Sequence, residues 1–207
     1  PLTTISGTAE ILKSGLVKPE DIPHFAENIY SETQRMITLV NDIIKLSQLD
    51  ENEIPLDNEP IDLYDLASDN IGWLKDEADK NDITILQQGN HVLIRGVHQI
   101  LDEMVHNLCD NAIKYNKPGG QVIVSTYSKD GKAVLSIKDT GIGIPQKHQS
   151  HVFERFYRVD KSHSREIGGT GLGLSIVKHG ASFHNAKVSL TSEEGVGTEI
   201  ILSFNMI

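Results

Sequence analysis

The stretch HNLCDNAIKYN, residues 106–116, decides how the rest of this chain is read. In a helix, Asn107, Asn111 and Lys114 fall at i, i+4 and i+7 and so share one stripe. Asparagine is a mediocre helix former that competes with its own backbone, so two on one stripe ask for a chemical reason. Amide oxygens are neutral, hard donors that can coordinate Mg²⁺, an ion that keeps several waters and leans on substrate phosphates. Lys114 adds a point charge suited to phosphate oxygens. Tyr115 offers a flat face to a nucleobase, and Glu103 extends the stripe N-terminally, where it could position metal or water. An enzyme that activates water would want a carboxylate where Asn107 stands. Taken alone, the stretch is equally a polar helix face turned to solvent.

Around it the pattern alternates between strands and helices. Ile61–Leu63, Ile83–Leu86 and Val92–Ile94 read as short strands, with helices over Leu66–Ala78 and about Val97–Tyr115. QVIVSTY (121–127) and AVLSIKD (133–139) form a hairpin around Lys129-Asp130-Gly131. A short helix is expected near His148–Phe156 and a longer one over 171–183, before a closing hairpin of KVSLTS (187–192) and TEIILSF (198–204). Strands separated by helices and ending in hairpins predict an α+β sandwich with helices on one sheet face.

Four further stretches carry candidate chemistry. In IKDTGIGIP (137–145), Asp139 ends a strand and could accept from an exocyclic amine, while Gly141 and Gly143 let backbone approach a ligand; by itself the stretch reads first as a plain glycine turn. GGTGLGLSIV (168–177) places glycines before an amphipathic helix, where free N–H groups form an anion site. It is neither a Gly-Lys-Ser/Thr phosphate loop nor a dinucleotide fingerprint. In EGVGTEI (194–200) a hairpin turn is the default, and the Thr198 hydroxyl could support the base-binding carboxylate. In FERFYRVDKS (153–162), Phe153, Phe156 and Tyr157 could anchor a lid, with Arg155, Arg158 and Lys161 offering charge to phosphates. Core aromatics beside solvated basic residues would give the same pattern.

The N-terminal fifty residues differ. Leu2, Ile5, Ala9 and Leu12 have helical spacing, Gly15 and Pro19 break it, and a second helix runs from about Asp21 to Leu49. Within it Ile29, Met36 and Ile43 recur every seven residues, with Leu39 and Leu46 as the partner row: a heptad seam. Such a hairpin buries little alone and wants a second copy, or else packs on the neighbouring C-terminal domain. DENEIPLDNEP (50–60) reads as a linker, so the expected division is a hairpin at 1–50, a linker at 51–59 and one domain at 60–207.

The formal charge of −10 argues against broad nucleic-acid binding, and the lone Cys109 against an intramolecular disulfide. No apolar run has transmembrane length and no signal peptide opens the chain, so a cytoplasmic location is expected. His148 and His151 lack the companions of a metal site, His179 and His184 read as surface or helix-end residues, and Trp73 as a core or interhelical anchor. No nucleophile elbow or Cys/His arrangement appears.

Each stretch is weak by itself, but their order is not. NLCDNAIKY, DTGIGI, FERFYRVD, GTGLGLSIV and EGVGT together resemble the ATP-binding domain of bacterial sensor histidine kinases over about Pro60–Phe204. PLTTISG resembles the segment immediately C-terminal to the phosphoacceptor box in the dimerisation hairpin of that family. The resemblance implies an α+β, two-layer sandwich of a mixed β-sheet covered by α-helices, preceded by an α-helical hairpin that pairs into a four-helix bundle. It makes Asn107 and Asn111 Mg²⁺-facing amides, Lys114 a phosphate contact and Tyr115 a flank for adenine. Asp139 would take the adenine amino group, with Gly141 and Gly143 shaping the pocket and Thr198 nearby. Arg158 would approach the γ-phosphate, and Gly169, Gly171 and Gly173 would form hinge and phosphate cradle.

The implied reaction is transfer of the γ-phosphoryl group of ATP to a histidine, for relay to an aspartate of a response-regulator receiver domain. The acceptor histidine would lie upstream of Pro1, and neither His24 nor His91 sits in a comparable context, so no autophosphorylation within these residues is expected. Any membrane anchor would likewise precede them. The sequence departs from the family pattern at Gly180, where an apolar residue is usual, and at His184-Asn185-Ala186-Lys187, where His-Gly-Gly-Lys is usual. Two alternatives stand beside this reading. An ATP-hydrolysing member of the same superfamily would place a glutamate at Asn107. A signalling scaffold would keep the fold without nucleotide.

Overall fold

The structure, a computed structural model, describes residues 2–51, 58–159 and 169–207. Helices α1 (Leu2–Lys13) and α2 (Ile22–Glu51) form a hairpin. Gly15, at a left-handed φ of 71°, lies in the break between them. Neither helix has a core of its own. Leu2 and Ile11 of α1 and Tyr30, Ile37, Val40 and Ile44 of α2 are exposed apolar side chains.

The expected seam of α2 is corrected at its C-terminal end. Ile29, Met36 and Leu39 are half-buried and Leu46 is buried, but Ile43 is 45% exposed. A straight helix drifts about 20° per heptad, so the seventh-residue row rotates off the packed face. By that point Asp42, Lys45 and Leu46 have taken its place against the C-terminal domain.

That domain runs β1 (Glu59–Asp62), α3 (Leu63–Lys80), β2 (Thr84–Gly89), β3 (Leu93–Gly96), α4 (His98–Lys114), β4 (Gln121–Lys129) and β5 (Lys132–Asp139). It continues through α5 (Gln146–Gln149), α6 (Gly173–Phe183), β6 (Lys187–Glu193) and β7 (Gly197–Asn205). The main sheet has the order β2-β4-β5-β7-β6, parallel between β2 and β4 and antiparallel elsewhere. β1 and β3 form a separate antiparallel pair, and Asp62 at its end accepts from the Tyr64 amide to cap α3.

Period-two alternation sends Val122 and Val124 of β4 and Ile200, Leu202 and Phe204 of β7 to one face. There they join Leu66, Leu101, Met104, Val105, Leu108 and Val177 from α3, α4 and α6 in one core. The fold is therefore α+β, helices layered on a mixed sheet, as expected. The β4–β5 turn has Asp130 and Gly131 both at positive φ, which twists the strands together.

Three local expectations change. The helix expected at 148–156 is only Gln146–Gln149, and Phe156 adopts a left-handed φ of 63° and is 57% exposed, so it is no apolar foot. Trp73 is 66% exposed, because Leu66, Ala67, Asn70, Leu74 and Ala78 take the inward stripe of α3. Lys161 and the rest of 160–168 lie outside the described residues.

Of the departures from the family pattern, Gly180 has a packing role, and Asn185 takes a left-handed φ of 51° where glycine is usual. A Cβ at Gly180 would lie 2.6 Å from Met104 Sδ, so glycine lets α6 approach α4. His184 caps α6: its Nδ1–H donates to the Gly180 carbonyl at 2.7 Å, and Nε2 accepts the Val97 amide at 3.0 Å. That pattern needs the neutral ring, and burial holds its pKa below the usual histidine value. No helix among the described residues is long and apolar enough to cross a membrane.

Candidate functional site

Helix α4 buries Leu101, Met104, Val105, Leu108, Ala112 and Ile113, which leaves Glu103, Asn107, Asn111 and Lys114 along the edge of that face, all half-buried. They open onto a cavity of about 930 Å³, which Arg158, Asp139, Gly143, Gly169, Gly171, Gly173, Tyr115 and Thr198 also line. A volume of this size suits a nucleotide-sized ligand. The structure thus brings together residues from α4 and its C-cap, the first turn of α6, the ends of β5 and β7, and the loops between them.

Asn107 is oriented by its neighbours. Its Nδ2 donates to the Glu103 carbonyl at 2.8 Å and to Glu103 Oε1 at 3.3 Å, so Oδ1 is the free end of the amide. A Cβ on Gly173 would fall 2.6 Å from that Oδ1, so any larger residue there collides with the amide. A Cβ on Gly169 would meet only the Tyr115 hydroxyl, at 3.4 Å, so space alone does not demand glycine there. Lys114 does not stand alone: its Nζ pairs with Asp110 Oδ2 at 2.7 Å along the helix.

At the other end, Asp139 Oδ1 accepts the Gly141 amide at 2.8 Å and the Thr198 amide at 3.1 Å. Both bonds fall on one oxygen, and none among the described residues falls on Oδ2. Burial raises the carboxyl above the usual aspartate pKa, while the two amides pull it back down. Gly141 is required by space: a Cβ would run into the Tyr115 carbonyl and Asp139 Oδ1. Gly143, at φ 66°, faces the Glu193 backbone just as closely.

Thr198 supports the carboxylate with its backbone N–H, not with its hydroxyl as expected. The hydroxyl is 2.8 Å from Ser192 Oγ. Ser192 Oγ also takes the Ile144 amide and gives its proton to the Gly197 carbonyl, so Thr198 must donate to it. Ser192 therefore ties the Gly141–Ile144 loop to the β6–β7 turn. Gln149 reinforces the tie through the Ile144 and Ser192 carbonyls. Neither residue carries a sequence signal, since serine and glutamine in loops are commonplace. His148 and His151 both serve Tyr157, the first by a 2.6 Å contact to its hydroxyl and the second by ring stacking.

Sequence reasoning also missed the hairpin's share of the cavity. Thr38, Asp42 and Lys45 of α2 line it. Asp42 accepts the Thr170 hydroxyl at 2.8 Å, Lys45 pairs with Glu103 Oε2 at 2.6 Å, and Leu46 seats on Leu172 and Ile176. Burial raises the Asp42 carboxyl, opposed by the Thr170 hydroxyl and the Lys45 charge.

Residues 96–206 match the family of histidine kinase-, DNA gyrase B- and HSP90-like ATPases, and residues 1–52 match the His Kinase A phospho-acceptor domain. The chain belongs to the bacterial two-component sensor histidine kinases. Sensor-like histidine kinase SenX3 of Mycolicibacterium smegmatis is 37% identical over 98% of this chain and 53% of its own length. Sensor histidine kinase YkoH of Bacillus subtilis is 35% identical over 99% of this chain and 44% of its own. The chain thus spans about half the length of such curated relatives. Among solved structures, histidine kinase AdeS of Acinetobacter baumannii superposes with a TM-score of 0.81 at 19% identity, covering 100% of this chain and 95% of that one. Histidine kinase ThkA, solved in complex with response regulator protein TrrA, gives 0.79 at 20% identity over 100% of this chain and 58% of that one. In sensor histidine kinase terms, the ATPase-family match of residues 96–206 falls within the C-terminal domain, and the phospho-acceptor match of 1–52 on the hairpin.

Proposed function

We propose that this chain is the catalytic core of a sensor histidine kinase. It binds Mg·ATP in the cavity under α4 and transfers the γ-phosphoryl group to a histidine upstream of Pro1. A response-regulator aspartate then receives the group. The observation that carries this reading is Asp139, with Oδ1 locked by two amides and Oδ2 left to accept the adenine amino group.

The donor set suits a hard cation: the amide oxygen of Asn107, fixed by Glu103, with Asn111 one turn on. Mg²⁺ there would neutralise charge on the phosphate oxygens. The protein's own residues supply positioning. Tyr115 flanks the base, Gly141 and Gly143 shape its pocket, and Thr198 holds Asp139. Lys114 and Arg158 direct charge to the phosphates, and Gly169, Gly171 and Gly173 admit them beside Asn107.

The Glu103 carboxylate is committed to Lys45 and Asn107, which disfavours the hydrolytic reading. His24, the histidine within 1–52, lies exposed at the start of α2 beside Asn28 and is not the acceptor in this reading. The hairpin (1–50) serves homodimerisation, the linker (51–59) joins it to the ATP-binding domain (60–207), and the whole works on the cytoplasmic side of a membrane-anchored sensor. The exposed apolar face of α2 and the ThkA–TrrA complex support the dimer and the response-regulator partner.

Titration with a non-hydrolysable ATP analogue and Mg²⁺ tests the core of the proposal. Saturable binding, lost in Asp139→Ala, is expected; binding indifferent to that change would overturn it. With labelled ATP, a longer chain that includes the upstream segment should form acid-labile phosphohistidine there. Label on His24 would refute the acceptor assignment, and steady hydrolysis abolished by Glu103→Ala would revive the hydrolytic alternative.

A further inference from the structure

Glu103 and Lys45 are 58 positions apart, one on the ATP-binding domain and one on the hairpin, yet their side chains meet at 2.6 Å. Both are only part-exposed, at 26% and 41%, so the pair is better shielded than an ordinary surface ion pair. The Glu103 carboxylate has two oxygens and two partners. Oε2 faces Lys45, and Oε1 faces the Asn107 amide at 3.3 Å. Because Nδ2 of Asn107 is taken by Glu103, its Oδ1 is left toward Gly173 and the cavity.

We propose that Lys45 of the hairpin is a positioning residue for the nucleotide site, acting through Glu103 to hold the Asn107 amide with Oδ1 toward the metal. Removing Lys45 frees the Glu103 carboxylate to turn, and the Asn107 amide is then held by the Glu103 backbone carbonyl alone instead of by two contacts. The binding of Mg·nucleotide and the seating of α2 on this domain are then coupled, each favouring the other by the same factor. A parallel tie, from Asp42 to Thr170 at the start of the glycine loop, holds the same helix to the opposite wall. The apolar seat of Leu46 on Leu172 and Ile176 adjoins Lys45 in the chain and keeps α2 in register.

This inference rests on reading Asn107 as a Mg²⁺-facing amide, and the experiment separates the two. Binding of a non-hydrolysable ATP analogue is measured across a Mg²⁺ titration, and binding of ADP in chelator without Mg²⁺, for the 207-residue chain and its variants. Lys45→Met should weaken the apparent Mg²⁺ affinity roughly five- to tenfold, the scale of a typical coupling. It should leave Mg²⁺-free ADP binding, which depends on Asp139, unchanged. Lys45→Arg should restore most of the Mg²⁺ affinity, and Glu103→Gln should lower it so that Lys45→Met adds nothing further.

A Lys45→Met chain with unaltered Mg²⁺ dependence, or additive effects of Lys45→Met and Glu103→Gln, would overturn the relay. If Asn107→Ala lowers Mg²⁺ affinity in that case, the reading of Asn107 survives and only the relay fails. If Asn107→Ala has no effect on it, both fall. A loss of ADP binding equal to the loss of Mg²⁺ affinity in Lys45→Met would mark a general structural role and also refute the proposal.

Discussion

At the residue scale, Asp139 carries the most chemistry for its size. One oxygen is spent on the Gly141 and Thr198 amides, which fix the carboxylate plane, and no bond among the described residues falls on the other. A hydrogen bond to a charged group contributes about 1.5–3 kcal/mol, so Asp139→Ala should weaken nucleotide binding roughly ten- to a hundredfold by calorimetry. Thr198→Val keeps the backbone N–H that holds Asp139 and should cost far less. Burial raises the Asp139 pKa, so the group takes up its proton at a higher pH than an exposed aspartate. Nucleotide affinity should therefore fall on mild acidification before ordinary carboxylates titrate. The stability sign is opposite: a raised carboxyl contributes stability below its unfolded pKa, and that is lost as pH rises through the folded pKa. Cys109, fully buried with its thiol pushed up to about 12, should resist iodoacetamide until the protein is unfolded.

At the element scale, two joints hold the site in shape. His184 links the end of α6 to the start of α4 as a neutral ring, donating from Nδ1 and accepting at Nε2. Its depressed pKa contributes stability above the unfolded histidine value, and this is lost as pH falls through the folded pKa. The melting temperature should fall as pH drops below the usual histidine range, with a shallower fall in His184→Gln. The second joint is the seat of α2 on α6. Leu46 is 3% exposed against Leu172 and Ile176, and buried leucine truncations cost about 2–5 kcal/mol. Much of that cost in Leu46→Ala should appear as undocking, read as faster amide exchange over the start of α6 with the β4–β5 ladder unchanged. Strands, helices and turns were legible here because their signals are local. Periodicity placed α3 and α4, and Lys-Asp-Gly placed the β4–β5 hairpin. The α5 region was not, since aromatic and basic residues there satisfy a helix, a lid or a turn alike.

At the scale of the whole molecule, the hairpin faces two ways. Part of α2 lies on the ATP-binding domain through Asp42, Lys45 and Leu46, while Tyr30, Ile37, Val40 and Ile44 remain exposed. An apolar stripe on one helix is what a second copy of the hairpin would cover. Ile37→Glu combined with Ile44→Glu should lower the apparent dimer mass in light scattering without altering nucleotide binding. If dimerisation persists unchanged, the stripe is not the contact.

The order of five short stretches determined the family and hence the fold: each is ambiguous alone, and only their sequence along the chain fits one arrangement. The sequence also determined the polar stripe of α4, since helical spacing is a local property. The tertiary structure alone decided how those residues are held. Thr198 works through its amide because β7 lies beside Asp139, and Ser192 ties two loops far apart in the chain. It also decided that α2 would place Asp42 and Lys45 in the wall of the cavity beside α4. Contacts of that kind depend on where distant elements come to rest, and no local spacing in the chain encodes them.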